Sequence, residues 1–461
     1  MNSFICKNKM RITYKFYLAS IFIGIIGGFV CVAFRYLIYQ SDNLRTSLFR
    51  TNGFSDFQRI INNGITMHET FIVLGKYVAL LLITILFLNI IFRMVRMFPT
   101  TSGSGLPQTK ALLERKMEYK SPFKNIIVKF LGGILSITSG LSFGREGSSV
   151  QMGSLIGYIF GKSFKVEEEN KNYLIAAGAG AGISAAFTAP LASSILILES
   201  LKNDNTDDIK KLTISTLLSG LFAGIIAILF FPSNIYSSIL IIKPKLEEYQ
   251  MLMIYISMAF IFSILGKLFS NSFIFIKKHY ERFQNKYDRH YLWLALLIIA
   301  ITFFYPSLVG GNQAFIIEII ENDSYSLFSN LLILMTLAIL TIISNATGFP
   351  GGLFIPLLSM GGLLGKIFCI TLADFDIISL SNTGYFVLIG MSVFFISVVR
   401  TPLTGFILIS EMTGNYDVLF PTLVVGILTY IFTEILNVRP LDNILYDLMM
   451  QNRINTGSSC S

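Results

Sequence analysis

The chain has 461 residues, of which 53% are hydrophobic and only 14% are charged, and its formal net charge is +9. Soluble domains are roughly 45–50% apolar and about 25% charged, so this composition excludes an ordinary soluble protein and predicts a polytopic membrane protein. The positive charge is spread over short connecting stretches, which argues against a nucleic-acid partner. The four cysteines lack metal-ligand or disulfide spacing, so we expect no metal and no cofactor.

The first predicted elements are two apolar helices separated by a polar connection. Basic residues from Lys7 to Lys15 precede an apolar segment over 16–39, which is too long for a signal peptide and predicts an uncleaved helix. A polar connection over 40–70 leads to a second segment over 71–91, and the connection after that segment is again basic. Because basic connections stay on the cytoplasmic side, we expect the N-terminus in the cytoplasm.

Nine further apolar stretches complete the predicted fold. They lie at about 125–160, 172–200, 212–232, 250–276, 291–309, 327–345, 352–372, 383–413 and 416–437. Several are too short, or too interrupted by Gly and Pro, to cross a ~30 Å hydrocarbon core as one straight helix. Broken helices occur in membrane proteins where they are buried or line a cavity. The prediction is therefore an all-α membrane fold with broken and tilted helices.

The two halves of the chain resemble each other. Two pairs of stretches match at offsets of 208 and 212 residues: 144–157 with 352–365, and 185–199 with 397–411. The matched positions include Gly144 with Gly352, Pro190 with Pro402, and Glu199 with Glu411. Such repeats, with Gly or Pro interruptions at paired positions, are typical of transporters whose substrate site lies at the repeat interface.

The repeat defines the predicted domain organisation. We expect one transmembrane domain over 1–450, made of two repeats of inverted topology. The first repeat covers about 16–205 and the second about 212–437. A final helix over about 440–450 and a short polar tail over 451–461 would follow them.

A charged pair in the middle of an apolar stretch marks the candidate site. Arg145 and Glu146 stand between Gly144 and Gly147, where membrane-buried sequence is expected. An ionisable group at that depth is costly and indicates function by default, and the glycines let the backbone approach a ligand. Two other glycine-rich interruptions, 102–107 and 351–356, offer free backbone amides at helix ends. Helix N-termini bind anions, so the three segments predict an anion site.

These three segments resemble the signatures of a known family. GSGLP at 103–107, GREG at 144–147 and GLFIP at 352–356 are similar, in order and separation, to those of the CLC family of chloride channels and chloride/proton exchangers. The likeness extends from the first helix to the end of the chain. It implies a homodimer in membrane lipid with one pore per subunit, and a prokaryotic type without cytoplasmic CBS domains. The expected location is then a bacterial inner membrane, with both termini in the cytoplasm.

The resemblance also implies roles for single residues. Glu146 would be the gate, whose carboxylate competes with chloride and swings away when it is protonated. Ser104 would give its hydroxyl to a central chloride, and the amides of Leu353 and Phe354 would complete that site. The remaining chloride-binding candidates are Arg145, Gly147 and Ile355.

Four positions depart from the family pattern, and two of them, Ser148 and Gln108, are minor departures. Exchangers often carry an internal proton glutamate directly after the position of Glu199, and here that residue is Ser200. The family's central tyrosine falls at Asp442 in the simplest register, and Tyr446, on the same helix face, is a candidate substitute. A carboxylate at Asp442 would repel chloride unless it were protonated or turned away, and a solvated helix start is an equally good interpretation.

The expected function is chloride transport, with two alternatives for its mechanism. Compact members of the family without regulatory domains are commonly exchangers, and Glu146 is present, so we favour chloride/proton antiport. Its proton pathway would use Glu146, Glu199 and Ser200, for example through water. The alternative is a passive chloride channel gated by voltage or pH, which the loss of the internal carboxylate favours.

A third, remote alternative is an intramembrane serine hydrolase. Residues 140–144 spell the G-x-S-x-G pattern around Ser142. A serine needs a nearby base to become a nucleophile, and the three histidines (His68, His279 and His290) lie in or near polar connections. We therefore expect a transport protein and no enzyme.

Two features have a simpler structural interpretation. Small residues in the AAGAGAGIS stretch, Gly178 to Gly182, predict close helix packing. Lys129 predicts a buried structural cation that raises the local potential for anions. Glu199 and Glu411 are equally compatible with helix-end charges and with a functional role.

Overall fold

The computed structural model describes residues 2–49, 67–164, 166, 168–201, 208–232, 241–286, 291–321 and 326–455. Within them the chain is largely helical, and eight helical segments are long and apolar enough to cross a membrane. The prediction of an all-α, multi-pass membrane protein is confirmed. Residues 456–461 of the predicted tail lie outside the described residues, and 451–455 belong to the last helix.

The helices are numbered in chain order over the described residues. The first group is α1 Asn2–Phe49, α2 Met67–Met97, α3 Leu106–Leu113, α4 Pro122–Thr138, α5 Glu146–Ser163, α6 Glu168–Phe187, α7 Pro190–Leu196 and α8 Ile209–Phe230. The second group is α9 Glu248–Lys286, α10 Tyr291–Phe304, α11 Gln313–Glu321, α12 Leu327–Ala346, α13 Phe354–Asp374, α14 Thr383–Val399, α15 Pro402–Thr413, α16 Leu419–Ile435 and α17 Leu441–Asn455. A π-helical turn, Ile197–Leu201, continues α7.

Several helices are longer than the apolar windows that predicted them. The first helix runs to Phe49 where the window ended at residue 39, and α9 runs to Lys286 where it ended at 276. Hydropathy marks only the apolar part of a helix, and Lys, Arg and Glu continue it well because they are good helix formers. The short helix α11 was missed, because two glutamates interrupt its nine residues.

The predicted helix breaks create helix ends inside the protein. The stretch 125–160 forms α4 and α5, and the stretch 383–413 forms α14 and α15. Gly140 (φ +99°) lies in the first break and Arg400 (φ +67°) lies in the second, and this left-handed conformation ends helices. As a result α5 begins in the interior, with Glu146 fully buried in its first turn.

The glycine-rich stretch on α6 serves helix packing, as predicted. A Cβ added at Gly178 would strike the backbone carbonyl of Gly153 on α5, and one added at Gly182 would strike the carbonyl of Ser149. Only glycine allows the two backbones to approach this closely. This contact fixes α5, and with it the position of Glu146.

The repeat-related glutamates make reciprocal contacts. Glu199 accepts hydrogen bonds from the amides of Leu403 and Thr404 at 3.0 and 2.9 Å, in the first turn of α15. Glu411, in the same way, accepts from the amides in the first turn of α7 at 3.1 and 2.8 Å. Each carboxylate therefore caps a helix of the other half: Glu199 caps α15, and Glu411 caps α7.

We expect Glu199→Gln and Glu411→Gln to lower the free energy of unfolding by similar amounts, about 1 kcal/mol each, because each weakens one carboxylate cap. Thermal unfolding in detergent measures this change. If Glu199 carried protons, Glu199→Gln would lower proton flux in liposomes while Glu411→Gln would not. Equal destabilisation with unchanged proton flux supports the capping role. A loss of proton flux confined to Glu199→Gln would contradict it.

Candidate functional site

The three glycine-rich segments meet at one place. The Gly103 amide donates to the Gly348 carbonyl at 2.8 Å, which joins the first segment to the turn before α13. Gly144 and Gly352 exchange two backbone hydrogen bonds, N to O, at 2.9 and 2.7 Å. Gly147 packs so closely on the Ser104 carbonyl that a Cβ could not be accommodated.

Buried polar side chains fix the loop that carries Ser104. The Lys129 ammonium group donates to the carbonyls of Thr101 and Gly103 at 3.0 and 2.6 Å and is fully buried. The Gln108 side-chain amide donates to the Ser102 carbonyl at 2.6 Å. Lys129 is thus a structural cation, as predicted, and it brings a positive charge close to the loop.

Glu146 lies on the N-terminus of α13. Its Oε1 atom accepts hydrogen bonds from the amides of Phe354 and Ile355 at 2.5 and 3.3 Å. The Glu146 side chain is fully buried, and its Oε2 atom has no hydrogen-bond partner among the described residues. These amides and the helix dipole form an anion site. The carboxylate occupies it, so the amides of two predicted chloride-binding residues, Phe354 and Ile355, hold the predicted gate.

Ser104 supplies a second buried polar atom beside this position. Its Oγ atom is withdrawn from solvent and has no hydrogen-bond partner among the described residues. A buried hydroxyl without a partner is rare in protein interiors. A hydroxyl can donate to an anion, so this geometry is compatible with the predicted chloride contact.

A cavity of about 270 Å³ reaches the site next to Glu146, and we call it the outer cavity because the predicted orientation places it on the outer side. Arg145 and Ile355, which flank the carboxylate in sequence and space, line it together with Phe143. The Arg145 Nε atom donates to the Ala186 carbonyl at 2.9 Å, and this contact holds the guanidinium group at the cavity. An anion that leaves the α13 amides towards the outer cavity meets the positive charge of Arg145.

An inner cavity of about 920 Å³ reaches Ser104. Its described lining includes four basic and two acidic side chains: Lys120, Lys162, Lys277, Arg453, Glu118 and Glu281. The excess of positive charge raises the local concentration of anions. Glu146 and Gly147 therefore separate two cavities, one lined by Arg145 and the other by Ser104.

The two candidates for the central tyrosine position lie on α17. The Tyr446 hydroxyl donates to the Glu114 carboxylate and accepts from the Lys116 ammonium group at 3.3 Å. Its role at the chloride site stays a prediction to which this geometry adds no support. Asp442 is half-buried in the first turn of α17.

The other proton-pathway candidates lie together on the turn after α7. Both carboxylate oxygens of Glu199 are used as the α15 cap, and the Thr404 hydroxyl donates to one of them at 2.6 Å. Ser200 is half-buried on the π-helical turn. The interpretation of Glu199 as a helix-end charge therefore has direct geometric support.

Ser142 has partners that do not activate a nucleophile. Its Oγ atom lies 2.9 Å from the Thr341 hydroxyl and accepts from the Asn312 amide at 2.7 Å. His279, expected near a polar connection, lies on α9, where its Nδ1 atom is 2.8 Å from the Phe275 carbonyl. His290 and the side chain of His68 lie outside the described residues. The hydrolase alternative gains no support.

Sequence reasoning missed some residues of the site. Asp42, assigned to a polar connection, and Tyr39, at the end of the first predicted apolar segment, both line the outer cavity. Gly348 anchors the Ser104 loop through its carbonyl, which accepts from the Ser102 hydroxyl at 2.7 Å. The positive φ of Gly348, +71°, is typical of glycine after a helix end. The Thr347-Gly348 sequence was the feature from which this turn could have been predicted.

Comparisons with known proteins agree with this geometry. Residues 80–434 match the family described as "Voltage gated chloride channel". The "H(+)/Cl(-) exchange transporter ClcA" of Vibrio cholerae is 26% identical over 466 residues, which cover 98% of this chain and 93% of that protein. The ClcA of Yersinia pestis is 30% identical over 364 residues, covering 76% and 73%. The crystal structure of a slow cyanobacterial Cl-/H+ antiporter has a TM-score of 0.82 at 26% identity, covering 95% of this chain and 98% of that one.

Proposed function

The chain belongs to the voltage gated chloride channel (CLC) family, and from this premise we propose that it exchanges chloride for protons across a membrane, with Glu146 as the gate. The observation that carries the proposal is the buried Glu146 carboxylate on the N-terminus of α13, between two cavities. Relatives named as exchange transporters cover nearly the whole chain, which supports antiport. It is a membrane transport protein, as its relatives are.

The geometry suggests how one group couples the two ions. An ionised Glu146 is the anion on the α13 amides, so chloride cannot bind there at the same time. Protonation removes the negative charge and weakens the hydrogen bonds from Phe354 and Ile355. The neutral side chain then leaves, and chloride takes its place at the amides. When chloride departs, the Glu146 side chain releases its proton and the ionised carboxylate returns to the amides, so each cycle moves both ions.

The proposed chloride path runs from the basic inner cavity to the outer cavity. Ser104 would donate its hydroxyl at the central position, where its Oγ atom is otherwise unpartnered. The amides at the start of α13, including Leu353, would follow, and then Arg145 and Gly147 near the outer cavity. The partial positive charges of the hydroxyl and amide groups suit transport, because chloride must bind weakly enough to leave.

The alternative is a passive chloride channel, which Ser200 favours because it replaces the usual internal carboxylate. Purified protein in liposomes separates the two functions. A chloride gradient is imposed without a proton gradient, and external chloride and pH are recorded together. In an exchanger, chloride that flows down its gradient drives protons uphill in the opposite direction. Chloride flow without proton movement, once the voltage is clamped, would reject antiport and establish a channel, gated by voltage or pH.

We expect Ser104→Pro to raise the nitrate-to-chloride flux ratio about fivefold, which corresponds to the loss of one hydrogen bond of about 1 kcal/mol to chloride. Nitrate is larger and more easily dehydrated, so it depends less on the hydroxyl. Anion-exchange flux in liposomes measures the ratio. Ser219→Ala, a buried serine on α8 that packs against Gly24 of α1, is the control and should leave the ratio unchanged. An unchanged ratio in Ser104→Pro would remove Ser104 from the central site.

We also propose the organisation that the family resemblance implies. Two inverted repeats, over about 16–205 and 212–437, would form one domain, and the reciprocal caps by Glu199 and Glu411 support this division. Two chains would form a homodimer in lipid with one pore per subunit. A bacterial inner membrane with both termini in the cytoplasm is the proposed location, supported by the basic residues before the first apolar segment.

A further inference from the structure

The first turn of α17 lies beside α3, the helix that begins just after Ser104 and Gly105. Asp442 belongs to this turn. Its neighbour Asn443 accepts a hydrogen bond at 2.7 Å from the ammonium group of Lys110 on α3. Asp442 therefore lies one helix away from the proposed chloride site, on the side of the inner cavity.

The Asp442 carboxylate is an unsatisfied group at the contact between α3 and α17. Its Oδ2 atom is withdrawn from solvent and has no hydrogen-bond partner among the described residues. By contrast, Glu114 at the same contact accepts from Lys116 at 2.7 Å and from the Tyr446 hydroxyl. A carboxylate oxygen that is withdrawn from solvent without a donor makes the charged form costly, so the protonated form of Asp442 is favoured.

Burial and one nearby positive charge act in opposite directions on the pKa of Asp442. The charged or titratable groups on α17 and on the segments around it include Lys110, Glu114, Lys116, Arg400, Glu434, Arg439, Tyr446, Asp447 and Arg453. Arg400 is paired with Glu434, and Lys110 is the positive charge that acts on Asp442. Burial raises the pKa of Asp442 to about 6, although the charge of Lys110 opposes the shift.

Three other carboxylates on the inner side are less suited to carry a proton. Glu199 is occupied as the α15 cap. Glu281 faces the inner cavity in an ion pair with Lys277 at 3.5 Å. The pKa of Glu114 lies below its usual value, because hydrogen bonds from Lys116 and Tyr446 outweigh the effect of burial.

We propose that Asp442 accepts the transported proton on the inner side, in the role for which Ser200 has no carboxylate. A proton from the inner solution binds an Asp442 oxygen, and the neutral acid later releases it towards Glu146. Charge balances because the carboxylate is restored after each transfer. Protonation of Asp442 also removes a negative charge near the chloride site. Proton binding at Asp442 and chloride binding at the central site thereby favour each other. The proposal rests on the proposed antiport.

The test is the chloride-gradient experiment in liposomes, with Asp442→Asn and a matched control. Asp447→Asn is the control, because Asp447 is an exposed aspartate on the same helix, paired with Arg439 at 2.7 Å. We expect Asp442→Asn to lower proton flux at least about tenfold while chloride flux persists, and Asp447→Asn to change neither. Full proton flux in Asp442→Asn would overturn the proposal. If the unmodified protein moves no protons, the proposed antiport fails first, and this inference fails with it.

Two further variants separate proton transfer from a structural role. Asp442→Glu keeps a carboxylate and should restore proton flux. Lys110→Met removes the charge that lowers the pKa of Asp442, so the pH at which proton flux is half-maximal should rise, by about one unit or less. An unchanged pH profile together with no rescue by glutamate would show that Asp442 only holds α17 in place. These variants also test the proposal if Asp442→Asn does not fold.

Discussion

Replacement of Glu146 by glutamine should leave chloride transport and abolish its coupling to protons. Glutamine resembles the neutral acid in shape but cannot ionise, so it cannot act as the anion on the amides of Phe354 and Ile355. Chloride can then occupy the site at any pH. We expect proton flux to fall at least about tenfold, to background, and chloride flux to lose its pH dependence. Parallel recording of chloride and pH in liposomes measures both effects.

The control for this variant is Glu248→Gln, which changes an exposed glutamate at the start of α9. It should leave the chloride-to-proton ratio and the pH dependence as they are. Persistent uphill proton movement in Glu146→Gln would mean that another group acts as the gate. Loss of both fluxes with an intact size-exclusion profile would mean that the glutamine side chain still blocks the α13 amides.

Replacement of Gly147 by alanine should remove most transport and destabilise the fold. The added Cβ would collide with the Ser104 carbonyl, a backbone atom that cannot rotate away, and would press on Gly352. The Ser104 loop must then move from α5, so the predicted chloride ligands no longer converge. We expect chloride flux to fall about tenfold or more, and the free energy of unfolding to fall by about 1–3 kcal/mol, as for overpacked cores. Chloride efflux and thermal unfolding in detergent measure the two changes.

Gly75→Ala is the matched control, because Gly75 lies in α2 with no atom within 4 Å of an added Cβ. Alanine within a helix is favoured over glycine by roughly 0.5–1 kcal/mol, so this variant should be as stable as the natural chain or slightly more so. It should transport chloride at the natural rate. Equal behaviour of the two variants would show that the close approach of Gly147 to Ser104 is dispensable.

Helix ends differ most between the sequence-based prediction and the structure. Apolar content predicted nearly all the long helices, because burial in lipid demands an apolar surface wherever a helix crosses. It did not predict that α1 continues to Phe49, since water-exposed helical turns carry no hydropathy signal. It also missed α11, whose nine residues are held by tertiary packing.

Within the site, the sequence was most informative where a residue is chemically out of place. Glu146 stood out because a carboxylate in an apolar stretch is costly. The glycines around it predicted a close backbone approach, and the contacts of Gly144 with Gly352 and of Gly147 with Ser104 agree with that prediction. Glu199 could not be assigned, because its partners, the amides at the start of α15, lie more than 200 residues away in sequence.

The sequence by itself determined the membrane class, the helical fold, the internal similarity of the two halves and the residues at which ions are expected to bind. These follow from local chemistry: apolar length, glycine at required positions and rare buried charge. Tertiary structure alone decided which carboxylates are free to act. Glu199 is held by amides and Glu114 by Lys116 and Tyr446, whereas the Oδ2 atom of Asp442 has no hydrogen-bond partner among the described residues. Hydrogen-bond partners across the fold set these differences, and no spacing along the chain encodes them.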